Sequence, residues 1–159
     1  MKRVVCAFAL VLSTLSLAAC EQSASDEPET APAQKDTITV ENARLVLPAV
    51  SGNPAGVFFD LANTGDVAVT LEGVSIEGAG STMIHDVKME DGIVSMFMIP
   101  SAEIAPGQTL AFAPGGKHVM AMKLDDTVAA GNTVKVTLEF AGAEPVEFDA
   151  PVQAFGQEK

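Results

Sequence analysis

From Thr37 onward, hydrophobic and polar positions alternate with period two, in short runs rich in Val, Thr, Ile and Phe broken by Gly, Pro, Asn and Asp. This pattern predicts strands over Thr37–Leu47, Gly56–Ala62, Ala68–Ile76, Thr82–Met89, Ile93–Ile99, Thr109–Ala113, His118–Leu124, Thr133–Phe140 and Val146–Val152. Turn chemistry separates them at Ser51-Gly52-Asn53-Pro54, Asn63-Thr64-Gly65-Asp66, Glu90-Asp91-Gly92, Ala105-Pro106-Gly107, Pro114-Gly115-Gly116 and Ala130-Gly131-Asn132. No window of twelve residues holds a helical stripe without a breaker. Eight or nine short strands at this spacing predict an all-β fold, an antiparallel β-sandwich or Greek-key barrel over residues 37–155.

The chain before Thr37 follows different rules. Lys2 and Arg3, the apolar run Val4–Leu12 and the exit Leu17-Ala18-Ala19-Cys20 read as a secretory signal over residues 1–19. The run is too short for a transmembrane helix. Leu-Ala-Ala-Cys resembles the lipobox of bacterial lipoproteins, which implies cleavage before Cys20 and acylation of that residue. Glu21 at the next position favours the outer membrane, with the domain facing the periplasm. Residues 21–36 have no aliphatic side chain larger than Ala and are expected to form, with Cys20, a disordered tether. Sixteen residues span at most about 55 Å, and about 20–24 Å as a coil.

Charge narrows the partners. The formal net charge is −12, and loss of Lys2 and Arg3 leaves seven basic against 21 acidic residues, or −14. Such a chain repels nucleic acid and cannot hold an anionic membrane through a basic patch, so the lipid is expected to do the anchoring. Trp and Tyr are absent. Nucleophile elbows, dinucleotide loops and phosphate-binding loops are missing too, and the acid pairs Glu90-Asp91 and Asp125-Asp126 read as solvated turns. The protein is expected not to be an enzyme.

One cluster stands out. Apart from Met1, every Met (Met83, Met89, Met96, Met98, Met120, Met122) and both His (His85, His118) fall between positions 83 and 122. Thioether and imidazole together suit soft or borderline metals, above all Cu(I). No thiol competes, because Cys6 leaves with the signal and Cys20 carries lipid. His118 and Met120, at i and i+2, share one face of a strand. His85 and Met96 flank the Glu90-Asp91-Gly92 turn, so a hairpin can bring them to that pair. Two nitrogens and two sulfurs then suffice for Cu(I). Met is also a filler of cores. On that reading Met122 continues an inward face towards Leu124, Met83 and Met89 are core or rim, and Met98 is either core or a spare ligand.

The order His85, ten residues, Met96, twenty-one residues, His118-x-Met120 resembles the H-x10-M-x21-H-x-M signature of the PCuAC family of periplasmic copper chaperones. Ala113-Pro-Gly-Gly-Lys-His-Val-Met120 and Pro54-Ala-Gly-Val-Phe-Phe-Asp-Leu-Ala-Asn-Thr-Gly65 resemble two further segments of that family. The resemblance implies a cupredoxin-like sandwich, a Cu(I) site made by His85, Met96, His118 and Met120, and delivery of copper towards cytochrome c oxidase assembly. Many relatives carry a His- and Met-rich tail, whereas this chain ends Gln153-Ala-Phe-Gly-Gln-Glu-Lys159. Two other functions fit an all-β envelope domain: a metal-free interaction module, and an electron-transfer cupredoxin. The latter lacks the Cys thiolate that a blue-copper centre needs.

Overall fold

The computed structural model describes residues 37–157. The expected signal peptide, the acylation site Cys20 and the tether to residue 36 lie outside the described residues. Ten strands run in chain order: β1 (Ile38–Val46), β2 (Ala55–Asn63), β3 (Val69–Ile76), β4 (Ala79–Glu90), β5 (Ile93–Met98), β6 (Ala102–Ile104), β7 (Thr109–Phe112), β8 (His118–Leu124), β9 (Thr133–Phe140) and β10 (Val146–Gln153). Nine coincide with the expected runs. The tenth, β6, has three residues, too few for an alternation to register.

Hydrogen bonding follows one path, β5-β4-β8-β2-β1-β10-β9-β3-β6, and the sheet is not closed. It folds into two layers. A single parallel contact, Leu45 beside Val152 and Val46 beside Gln153, joins β1 to β10, where a purely antiparallel arrangement was expected. The core draws on both layers. Val57, Phe59 and Leu61 alternate inward along β2, and Val134, Val136, Leu138 and Phe140 do so along β9. Phe59 stacks on Phe112 at 4.4 Å and meets Phe148 at 5.5 Å.

Two details position the region of interest. One edge of β2 is shared, since Phe59–Ala62 pair with β7 and Ala55–Val57 with β8. Between β7 and β8 the chain loops out through Pro114-Gly115-Gly116, closed by the Lys117 carbonyl accepting from the Ala113 amide at 2.7 Å, and re-enters the sheet at His118. The Asn63-Thr-Gly65 segment is structural. Buried Asn63 donates to the carbonyls of Val67 (2.8 Å) and Ile104 (3.0 Å) and accepts from the Gly65 amide at 3.0 Å, so it ties the end of β2 to the opposite layer.

Candidate metal centre

The β4–β5 hairpin sets the register of the site. Asp91 and Gly92 both have positive φ (52° and 79°), the backbone of a two-residue turn whose twist matches the strands it joins. That turn pairs Glu90 with Ile93, which places Met96 opposite Val87 and Met98 opposite His85. A slip of one residue would send both thioethers to the other face. On the other side of β4, His85 stands opposite His118 and Met83 opposite Met120. Directly opposed residues share a face, so Met83, His85, Met96, Met98, His118 and Met120 all project from one outer surface of the sheet.

His118 stands beside two of the other three expected ligands, His85 and Met96. The His85 and His118 rings lie 5.9 Å apart and only 18° from parallel. His118 Nδ1 lies 2.8 Å from the Gly116 carbonyl. A carbonyl can only accept, so Nδ1 carries the proton and Nε2 of the neutral ring presents its lone pair. That Nε2 is 3.1 Å from Met96 Sδ. Thioether sulfur has no proton to give, so two donor atoms aim at one another and attract only with a cation or proton between them. The fourth residue, Met120, shares this face two positions beyond His118, beside Met83 and Gly56. His85 Nδ1 is buried and has no hydrogen-bond partner. Among the described residues, no three His, Cys, Asp or Glu side chains gather to hold a metal.

The surroundings are built as well. Lys117 Nζ donates to Asp86 Oδ2 at 2.6 Å, one residue outside the His85–His118 pair on each strand. The Lys117 ammonium holds the Asp86 carboxyl below its ordinary value, and the Val87 amide adds to the effect while partial burial opposes it. Phe58 leans on His118 with ring centroids 6.4 Å apart and carries the Arg44 guanidinium 5.1 Å from its own ring centroid, forming a side wall.

Met122 departs from the core reading, and Met83, Met89 and Met98, expected either in the core or outside it, all lie outside it. Along β8 the buried positions are Val119 and Ala121, while Met122 is half-buried on the outer face with His118 and Met120. The expected inward face was out of phase by one residue. Met89 is 72% exposed, and Met83 (41%) and Met98 (61%) stand on the same face as His85, opposite Met120 and His85 respectively. The spacing Met83-x-His85 and Met96-x-Met98 carried that information, since each pair sits at i and i+2.

Comparison with known proteins agrees with this architecture. The copper-bound PCuAC domain from PmoF2 superposes with a TM-score of 0.62 at 24% identity, covering 74% of this chain and 93% of that one. The Cu(I) form of DR1885 from Deinococcus radiodurans gives 0.59 at 24% identity, over 79% of this chain and 81% of that one. The fold is therefore the cupredoxin-like sandwich of PCuAC domains. "Putative lipoprotein Lxx21020" of Leifsonia xyli subsp. xyli (strain CTCB07) is 32% identical over 142 residues, 89% of this chain and 84% of that protein. The family described as "Putative lipoprotein LpqE-like" matches residues 38–152, from the start of β1 into β10, and the chain belongs to that family.

Proposed function

We propose that the protein is a Cu(I)-binding metallochaperone that holds one ion through His85, Met96, His118 and Met120 and passes it to an acceptor. The observation that carries this reading is the meeting of His118 Nε2 and Met96 Sδ at 3.1 Å, with the His118 tautomer fixed from behind by Gly116. Two neutral imidazoles and two thioethers match a soft monovalent ion and add no charge of their own. The solved relatives of the same fold, described as copper-bound and as a Cu(I) form, support it. Met96 is 51% exposed, so an acceptor's ligands can reach the ion without unfolding the sandwich.

The acceptor we propose is a cytochrome c oxidase subunit or its assembly factor, and the role is transfer rather than catalysis. The lipobox-like Leu17–Cys20 and a relative described as a lipoprotein support a lipid-anchored domain facing the periplasm, with the outer membrane favoured by Glu21. Anaerobic titration of the protein with Cu(I) tests the reading. One tight equivalent per chain is expected. An intense visible band with Cu(II) would favour an electron-transfer cupredoxin, and absence of binding would leave an interaction module.

A further inference from the structure

Two methionines outside the four-residue set, Met83 and Met98, line a single cleft of about 230 Å³ together with Glu72 and Glu139. The cleft lies where β5 ends, as the chain leaves Met98 and the Ile99 amide donates to the Ile84 carbonyl at 2.9 Å. It adjoins the His85 surface, because Met98 is the cross-strand partner of His85 and Met83 precedes His85 by two residues on the same face. Each of these thioethers also neighbours one of the four proposed ligands. Met83 is directly opposite Met120, and Met98 follows Met96 by two positions.

Neither belongs to the core, since both residues are substantially exposed, at 41% and 61%. The opposite wall of the cleft is acidic. Gly73 makes room for the Glu139 carboxylate, since a Cβ at that position would fall 2.6 Å from Glu139 Oε2. Two soft, uncharged donors beside two carboxylates suit a soft monovalent cation: sulfur supplies the bonds and the carboxylates the attractive field.

We propose that Met83 and Met98 form a second, weaker Cu(I) position beside the His85 centre, through which the ion exchanges. This rests on the four-residue centre proposed above. In each step one Cu–S bond forms as another breaks, with Met83 replacing Met120 or Met98 replacing Met96. Copper stays Cu(I), and neither a proton nor an electron moves.

The test is anaerobic titration of the protein, methyl-labelled at Met, with Cu(I) alone, followed by NMR. The first equivalent should shift the Met96 and Met120 methyls, and the second, at least about tenfold weaker because two donors replace four, those of Met83 and Met98. The double substitution Met83→Leu with Met98→Leu should abolish the second event, leave the first within about twofold, and slow removal of bound copper by a soluble Cu(I) chelator. Static Met83 and Met98 methyls through two equivalents, while Met96 and Met120 respond, would overturn the second position and leave the first intact. A tenfold or greater loss of first-equivalent affinity in the double variant would overturn it too, by placing these residues in the primary shell. Silence at Met96 and Met120 overturns the four-residue centre and the exchange position with it.

Discussion

Asp86 accepts a 2.6 Å bond from Lys117 immediately beyond the point where His85 meets His118, so an ion pair pins β4 and β8 together at the proposed metal centre. The side chains are 22% and 30% exposed, which leaves the pair partly screened. Asp86→Asn should therefore cost about 0.5–1 kcal/mol at neutral pH, measured by denaturant unfolding. Because Lys117 lowers the folded-state carboxyl pKa below the ordinary 3.8, this contribution is present above that value and fades as pH falls through the lowered one. Wild type and variant should converge in acid. A difference that grows on acidification would mean that the carboxylate is not the stabilised form.

Core and outer face can be separated by substitution. Met122 lies half-buried on the outer face, so Met122→Ala should cost no more than about 1–2 kcal/mol. Phe112 is fully buried and stacks on Phe59 at 4.4 Å, so Phe112→Ala should cost about 3–5 kcal/mol. Equal losses in thermal or urea unfolding would return Met122 to the core.

That contrast marks where the sequence was legible. Strand β2 alternates Val57, Phe59 and Leu61 inward with intervening positions outward, and its pattern is plain. Strand β8 reads His118-Val-Met-Ala-Met122, apolar at nearly every position, so alternation cannot choose its buried face. The structure buries Val119 and Ala121, compact side chains that fit between the layers, and leaves the long thioethers outside. Strand β5 is apolar at every position but Ser95 yet exposed at all six, because it is the edge of the path and no layer covers it. That His85, Met96, His118 and Met120 share one face was legible from spacing, since strand period and the Asp91-Gly92 turn determine it. The Met83–Met98 cleft was not. It needs Glu72 and Glu139 from the other layer, a contact between segments distant in sequence.

Ligand and scaffold roles of methionine should separate cleanly. Met96 is half exposed, so Met96→Leu removes a donor while nearly conserving volume. Stability should change by less than about 1 kcal/mol, and Cu(I) affinity in chelator competition should fall by at least about tenfold. Met120→Leu should behave in the same way. Unchanged affinity in either variant would remove that sulfur from the proposed centre.

Protons provide the last test, because an imidazole must be unprotonated to bind a metal whereas a thioether binds none. Linkage then fixes the sign: lowering pH into the range where both imidazoles of the copper-free protein are protonated must weaken Cu(I) binding. With His85 and His118 both in the shell, log affinity should approach a limiting slope of two per pH unit. An all-thioether site would be flat. Replacing either His by Ala should reduce the limiting slope to one. The Asp86–Lys117 pair keeps the carboxylate ionised through this range, so it adds no slope of its own. Competition against a chelator of known protonation, with circular dichroism confirming that the strands persist, gives the measurement. A limiting slope of one in the unmodified protein would exclude either His85 or His118 from the shell, and the four-ligand reading would fail with it.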